Sequence, residues 1–360
     1  MSRLLRLLVT GIVTSLALVS ITLPARAAAD PEAATSAAAW IASQADTISD
    51  VGGAADALFA LAAAQDDSTT GVAGQLLAQV TSGGAAYVAD SPEGAAKLTI
   101  LAAAYGENPR SFIPDTDLVA MVTAGIADDG SFGAYPGPFA TGLAAVALNR
   151  AGETIPENLL RHLATYTDGG GGYSFEAGGA ADADSTGMAL LALIAAGDTE
   201  AAAKAQAWAA ANQNTEGSWD GYNPVNSTAI LGSALQSATS DQPKAVEYLV
   251  SQQQESGSFL QDDAANLMAT TQAVLLLGGV SYLEVSWQLS EPTSTPPVPT
   301  TTEASPAPTA PDDPASDFPV LPTVATLVAL LSIVAFMGWH RRREVPGSTP
   351  DSTPTEQSRQ

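Results

Sequence analysis

Residues 248–259 read YLVSQQQESGSF, and this stretch holds the pattern that decides the fold. Its apolar residues recur at helical spacing until the turn Gly257-Ser258-Phe259 interrupts them. Thr271 follows and opens a second apolar helical segment, which ends near Gly278. Two amphipathic helices joined by a glycine-aromatic turn form a helical hairpin, so this part of the chain predicts one hairpin unit.

The same unit recurs along the chain, because each Gly-x-aromatic turn precedes a threonine and an Ala/Leu-rich helix. The threonines Thr141, Thr186, Thr228 and Thr271 are spaced 45, 42 and 43 residues apart. Internal repetition at this period indicates stacked hairpins, and closing six of them into a ring buries the two end units as well. We therefore predict an all-α domain over residues 28–289. The turns are Gly130-Ser131-Phe132, Gly171-Gly172-Tyr173, Gly217-Ser218-Trp219 and Gly257-Ser258-Phe259, with degenerate units at Ala85-Ala86-Tyr87 and at the Ala-rich segments 33–44 and 54–65.

The N-terminal 27 residues have the composition of a secretory signal. Arg3 and Arg6 precede an apolar run from Leu7 to Leu23, and Ala25-Arg26-Ala27 matches a small-x-small cleavage site. We predict that residues 1–27 form a signal peptide and that the mature chain begins at Ala28.

The C-terminal region predicts a membrane anchor on a stalk. Residues 290–317 are rich in Pro, Thr, Ser and acids, a composition that builds no core and favours extended polyproline II. The uncharged apolar run 320–339 is long enough for one transmembrane helix, and Arg341-Arg342-Arg343 places the tail 340–360 in the cytoplasm. We expect a single-pass cell-membrane protein whose N-terminal head lies outside, on a stalk suited to a thick bacterial cell wall. Leu321-Pro322-Thr323-Val324-Ala325 departs from a sortase signal at its last two positions, which favours a retained anchor.

Composition excludes several classes of site. The chain has no cysteine, so disulfides, thioesters and thiolate metal sites are excluded. Residues 28–289 carry 6 Lys/Arg and 30 Asp/Glu, a formal charge of −24. A surface this acidic repels nucleic acid, so we predict no nucleic-acid partner. Asp128-Asp129 and Asp262-Asp263 read as solvated turn acids, and we predict no metal site.

The repeat resembles the motif of the terpenoid cyclase and protein prenyltransferase toroids, an aromatic-Leu pair followed by Gln, Gly and Trp at fixed spacing. Tyr248-Leu249, Gln253, Gly257 and Phe259 match it, and Trp208-Ala209, Gln213, Gly217 and Trp219 match nearly as well. The resemblance covers most of residues 33–280. It implies an α6/α6 toroid of six inner and six outer helices. From the residues themselves, we expect glycine to permit the turn, the aromatic to pack between hairpins, and glutamine to bond loop backbone.

Asp182 and Asp184 are the weak candidates for catalysis. Asp182-Ala183-Asp184-Ser185-Thr186 resembles the Asp-x-Asp-Asp-Thr acid motif of squalene-type cyclases, but Ser185 replaces the third acid. A carbocation cyclase also needs an aromatic-walled pocket, whereas only 6% of this chain is aromatic. We therefore favour a structural role, in which Asp184 or Ser185 caps the inner helix by accepting from its free N–H groups, and we assign no catalytic residue.

The resemblance also includes transcobalamin-like toroids, which capture a ligand over the mouth of the ring. It implies a surface capture protein that needs no cofactor, with cobalamin as the leading candidate ligand and a transporter or lid protein as a candidate partner. One alternative is an enzyme acting on an isoprenoid lipid, and another is a structural or adhesive surface protein, which a side-chain-filled ring would favour. The ligand-binding residues predicted from the loops are Tyr135, Tyr173, Phe175, Asp182, Asp184, Trp219, Tyr222, Asn223 and Asn226.

Overall fold

The computed structural model describes residues 30–238 and 242–288. The predicted signal peptide, stalk, transmembrane helix and cytoplasmic tail therefore lie outside the described residues. Within those two ranges, none of the helices combines the length and the apolar character that a bilayer crossing requires.

Helices dominate the described residues, which confirms the prediction of an all-α domain. Four two-residue strands form two antiparallel hairpins, β1 Tyr173–Ser174 with β2 Ala181–Asp182 and β3 Leu260–Gln261 with β4 Ala264–Ala265. The α-helices are α1 Pro31–Ser43, α2 Val51–Ala64, α3 Thr70–Val88, α4 Pro92–Ala104, α5 Leu118–Ala124, α6 Pro138–Arg150, α7 Glu157–Leu163, α8 Ala183–Ala196, α9 Thr199–Asn212, α10 Pro224–Ala238, α11 Pro243–Gln252 and α12 Leu267–Leu277.

Most helices begin at a short polar residue that satisfies a free backbone N–H group. Asp182, for example, accepts from the Ser185 N–H at 2.8 Å, and Asn266 accepts from the Ala269 N–H at 2.9 Å. These caps explain why Ala-rich segments start where they do, since alanine itself carries no start signal. The same cap is supplied by Asp30, Asp50, Ser91, Asp117 and Asp198.

The even-numbered and odd-numbered helices occupy different layers. Each even-numbered helix from α2 to α12 packs against the next even-numbered one, and α12 packs against α2. Each odd-numbered helix packs against the even-numbered helices on either side of it in the chain, and α1 packs against α12 and α2. The even-numbered helices are also the more buried set, as α6, α8 and α10 show along almost their whole lengths. Hereafter we refer to the even-numbered helices as the inner helices and the odd-numbered ones as the outer helices.

One glycine contact joins successive hairpins. Gly217 has a φ of +101°, and a Cβ there would overlap the Lys244 carbonyl group at the start of the next outer helix. Gly130 and Gly171 meet α7 and α9 in the same way, at the carbonyls of Asn158 and Lys204. Gly257 meets the Ser36 carbonyl of α1, so the last unit contacts the first by the same glycine geometry that joins the others.

The predicted turn at Ala85-Ala86-Tyr87 is wrong, because these residues lie inside α3, where no glycine interrupts the helix. In the two units that match the motif best, the remaining motif residues do what the sequence predicts. Gln213 and Gln253 donate to the carbonyls of Gly217 and Gly257 at 2.9 and 3.0 Å. Trp219 is 2% exposed and donates through Nε1 to the Ala209 carbonyl. These contacts confirm the structural interpretation of the repeat, in which the motif builds the junction between hairpins.

The threonine assignment needs one correction. The hydroxyls of Thr186 and Thr228 accept from the N–H groups of Tyr173 and Trp219, at 2.9 and 3.1 Å. In the last unit Thr270, not the predicted Thr271, makes the equivalent bond, to the N–H of Phe259 at 2.9 Å. Because both threonines fit the repeat spacing, only the side-chain direction separates them.

The segment 279–288 closes one end of the inner layer. The Arg150 guanidinium, at the end of α6, donates to the carbonyls of Tyr282, Leu283 and Val285 at 2.8–3.2 Å. The Tyr282 ring packs edge-on against Phe59 of α2 with centroids 5.2 Å apart. The Trp287 N–H also donates to the Ala104 carbonyl at the end of α4. The segment therefore contacts three inner helices, α2, α4 and α6.

The glycine contact predicts a large difference between two Gly→Ala variants. Gly217→Ala adds a Cβ that overlaps the Lys244 carbonyl, whereas Gly178→Ala, at a φ of +81°, meets no atom within 4 Å. We expect Gly178→Ala to lower the free energy of unfolding by about 1 kcal/mol through backbone strain alone. Gly217→Ala should cost about 1–3 kcal/mol more because of the overlap. Urea denaturation of both variants checks this, and equal losses would contradict the close approach.

Candidate functional site

The inner helices run parallel and begin at the same end of the molecule. Gly142, near the start of α6, lies against Met188 near the start of α8, and Gly187 lies against Leu231 of α10. Gly232 likewise meets Leu276 at a matching level of α12. Since segment 279–288 covers the other end, the end where the inner helices begin carries the loops in which the sequence placed its candidate residues. We call this end the rim.

Asp182 and Asp184 both lie at the rim, where they hold loops in place. Asp182, and not the predicted Asp184 or Ser185, caps α8, because the helix begins one residue after it, and it also accepts from the Phe175 N–H at 3.2 Å. Asp184 is 3% exposed, and its Oδ2 accepts from the Tyr222 N–H at 2.9 Å and the Ser227 hydroxyl at 2.7 Å. Asp182 therefore organises its own unit, and Asp184 ties α8 to the loop before α10.

The environment of Asp184 perturbs its ionisation. Burial raises the pKa of Asp184 to about 7, and the negative charge of Asp182 adds to the increase. The hydrogen bonds from Tyr222 and Ser227 act in the opposite direction. Burial also raises the pKa of Asp182. A protonated Asp184 adds a hydrogen-bond donor at the rim, in a position where an ionised carboxylate only accepts.

The predicted polar residues of the α10 loop form a network with residues of the last unit. Asn226 is 1% exposed, and its Nδ2 donates to the Oε1 of Gln272 on α12 at 2.7 Å. The Tyr222 hydroxyl accepts from the Nε2 of Gln261 in the β3–β4 hairpin at 2.8 Å. Asn223 accepts from the Val225 N–H at 2.9 Å and so orders the first turn of α10. Two buried acceptors of the network, the Oδ1 of Asn226 and the Oε1 of Gln261, have no partner.

The predicted aromatic residues divide into buried and exposed groups. Trp219 and Tyr173 are 2% and 4% exposed, so they belong to the packing between hairpins and present no face to a ligand. Phe175 is half-buried beside the β1–β2 hairpin, and Tyr135 is 39% exposed in the loop before α6. The structure therefore brings Asp182, Asp184, Tyr222, Asn223 and Asn226 together, and it separates Trp219 and Tyr173 from any open surface.

Two residues that the sequence interpretation missed, Phe139 and Gln272, share the inward faces of the inner helices with the predicted Asn226. The threonines face outward toward the turns, and residues two positions away lie about 200° around the helix, because each residue advances about 100°. This rule places Asn226, two before Thr228, and Gln272, two after Thr270, on the inward side, where they contact each other. Phe139, two before Thr141, holds the equivalent position in α6 and is 40% exposed, although the Thr141 hydroxyl has no hydrogen-bond partner. The signal was present in the sequence as offsets from the repeating threonine.

A charged pair completes the rim. Lys97 on α4 donates to both carboxylate oxygens of Asp56 on α2, at 2.9 and 3.0 Å. Both side chains stay about one quarter exposed, 23% and 27%, although the neighbouring residues of their helices are buried. Phe59, one turn below Asp56 on the same face, contacts Tyr282 of the closing segment, so the pair faces inward. Burial alone would lower the pKa of Lys97, but the carboxylate of Asp56 outweighs it, and the raised pKa keeps the pair charged.

We use the name rim site for Asp56, Lys97, Phe139, Asn226 and Gln272. Below these residues the inward positions are filled by buried apolar side chains, among them Phe59, Val146, Leu191 and Leu275. The rim site therefore lies at one end of a packed core. Two cavities, of about 200 and 510 Å³, lie elsewhere, one along α8 and α9 and the other along α3, and neither includes a predicted site residue. The described residues contain no group of three or more His, Cys, Asp or Glu side chains that would hold a metal ion.

Comparisons with known proteins leave the chain without a family assignment. No family model matches it, and no curated protein is similar to it. It is similar to a solved structure described as a protein from Actinoplanes, with 14% sequence identity and a TM-score of 0.45. That match covers 64% of this chain and 88% of the other. A similarity at this level carries no argument about function.

The ionisation of Asp184 predicts a pH-dependent stability. With the native pKa near 7 and the unfolded value near 3.8, the native state holds a proton that the unfolded state releases between these values. The contribution of Asp184 is thus fully present below pH 3.8 and is lost as pH rises through 7. Relative to Asp184→Asn, we expect the wild type to lose up to about 1.4 kcal/mol of unfolding free energy per pH unit in this window. Parallel slopes in urea titrations from pH 4 to 8 would contradict the assignment.

Proposed function

We propose that the described residues are the α6/α6 toroidal head of a membrane-anchored cell-surface protein, and that this head captures a small molecule at the rim site. The cycle of contacts from α2 to α12 and back supports the toroid. The glycine contact between the last unit and α1 supports it independently. The anchor and the outward orientation rest on the composition of residues 290–360.

One observation carries the binding proposal, which is the buried Oδ1 of Asn226 without a hydrogen-bond partner. Leaving a buried acceptor unpaired costs about 1–3 kcal/mol, and a ligand that donates to it recovers part of that cost. The acceptor is only 1% exposed and lies beside Gln272, whose side chain is partly open to solvent. An exposed aromatic ring, Phe139, adds an apolar contact on the same inward side.

The filled interior restricts the ligand to the rim. Because the inward positions below the rim site are buried, a ligand sits across the end of the ring and not within it. Cobalamin, the leading candidate by resemblance, fits only as a molecule held over the mouth. A transporter or lid protein is then the partner that would cover its outer face.

Native mass spectrometry of the full chain purified from its source tests capture. We expect a bound small molecule in the wild type and at least a tenfold lower occupancy in Asn226→Leu, because leucine removes the unpaired acceptor. Lys204→Met, which removes an exposed pair with Glu200, serves as the control and should keep the wild-type occupancy. Adding cobalamin tests that ligand separately through its visible absorption spectrum. Capture is rejected if nothing co-purifies and neither cobalamin nor small-molecule screening raises the melting temperature.

The packed core favours a second candidate function, a structural or adhesive surface protein. In that case the ring serves as a rigid head, and the buried polar network only orders the loops. Asn226→Leu would then change the melting temperature without changing any ligand occupancy.

The perturbed pKa of Asp184 is the observation that bears on the enzymatic alternative. An acid with a pKa near 7 is suited to proton donation. Its Oδ2 already accepts two hydrogen bonds, however, and its side chain is almost inaccessible. If the chain turns over an isoprenoid lipid, Asp184→Asn should abolish turnover while the melting temperature is retained, and an unchanged product profile rejects this role.

A further inference from the structure

We infer that the rim site recognises a zwitterion, a small molecule carrying one ammonium group, one carboxylate and an apolar body. The inference rests on the proposed capture function and specifies its ligand class. Its basis is the ion pair between Asp56 and Lys97, whose side chains stay 27% and 23% exposed. The contact of Phe59, one turn from Asp56, with Tyr282 of the closing segment supports an inward direction for the pair.

The pair is unusual in its place on the inner helices. Asp56 and Lys97 are each the sixth residue of their helix, as Gln272 is of α12, so the three lie at one level of the ring. The equivalent positions of α6 and α8 hold Leu143 and Met188, which are 8% and 1% exposed. Charge at this level is therefore confined to α2 and α4, whereas α6 and α8 are apolar there.

Charge complementarity with the pair favours one of three kinds of ligand, a monoanion, a monocation or a zwitterion. A monoanion that contacts Lys97 meets the carboxylate of Asp56 beside it and the acidic surface of the head. A monocation that contacts Asp56 meets the ammonium of Lys97. A zwitterion places its ammonium against Asp56 and its carboxylate against Lys97, and its zero net charge avoids repulsion by the head.

The remaining rim residues match the rest of such a ligand. Phe139 is an exposed aromatic ring two positions from Thr141, and it offers a flat apolar face to the ligand body. The Oδ1 of Asn226 is an unpaired acceptor, which suits an additional N–H of the ammonium group. The two charges, the acceptor and the apolar face all belong to inward-facing residues near the starts of the inner helices.

Three probes with one apolar body separate the classes. L-phenylalanine is the zwitterion, phenethylamine the cation and 3-phenylpropanoate the anion. We expect calorimetric titration of the full chain to show L-phenylalanine binding at least tenfold more tightly than either singly charged probe. Equal or tighter binding of a singly charged probe, or no binding of L-phenylalanine, would overturn the inference.

Two variants assign the binding to the rim site. Asp56→Leu/Lys97→Met replaces the pair with apolar side chains of similar size, an exchange that proteins commonly tolerate, and it should remove the tenfold preference. Phe139→Ala should weaken all three probes together by a similar factor. Lys204→Met is the matched control and should bind like the wild type, while melting curves verify that each variant folds. A preference that survives loss of the pair also overturns the inference.

The failure of this inference remains distinguishable from failure of the proposed function. If another small molecule co-purifies with the chain and depends on Asn226, but L-phenylalanine does not bind, capture stands and the ligand class is wrong. If neither probe nor co-purified molecule binds, both are wrong.

Discussion

The repeated architecture depends on one steric constraint, the close approach of a glycine to a carbonyl group of the next outer helix. At Gly217 and Gly257 the backbone has a positive φ, and a side chain would overlap a carbonyl group of α11 or α1. The glutamine four residues earlier bonds the same turn, and the aromatic two residues later fills the space between the hairpins. The four junctions at Gly130, Gly171, Gly217 and Gly257 share the glycine contact, and a repeated geometry sets the rotation from one unit to the next.

These junctions determine which residues of the inner helices lie at the rim. In α8, α10 and α12 a threonine accepts a hydrogen bond from its own turn, which fixes the rotation of that helix about its axis. Residues two positions away are then directed inward whatever their chemistry. Each of these three helices carries one polar residue at such a position, and Asp184, Asn226 and Gln272 belong to the polar network. A repeated scaffold geometry thus leaves a few positions free to carry a site.

Electrostatics distinguish the rim from the rest of the head. Residues 28–289 carry a formal charge of −24, so most acids repel one another across the surface. Lys97 is placed where burial would disfavour its charge, yet Asp56 holds it ionised. Asp184 shows the opposite balance, because burial and Asp182 raise its pKa more than its two hydrogen bonds lower it. The inner helices therefore hold one charged pair and one carboxyl group that titrates near neutral pH.

Much of this molecule follows from the sequence alone, since local patterns encode local structure. The repeat of glycine, aromatic and threonine predicted the all-α class and the roles of Gln213, Gln253 and Trp219. A cap in the cluster near Asp182 was also predictable, because a cap bonds residues only three positions away, but Asp182 makes it and the predicted Asp184 and Ser185 lie inside α8. The direction of side chains and the pairing of residues from distant units could not be predicted from the sequence. The choice of Thr270 over Thr271, the burial of Tyr173, the contact of Asn226 with Gln272 and the pairing of Asp56 with Lys97 all join residues from different turns or hairpins. Only the tertiary structure decided them, because residues some 40 positions apart in the chain become neighbours only when the inner helices pack side by side.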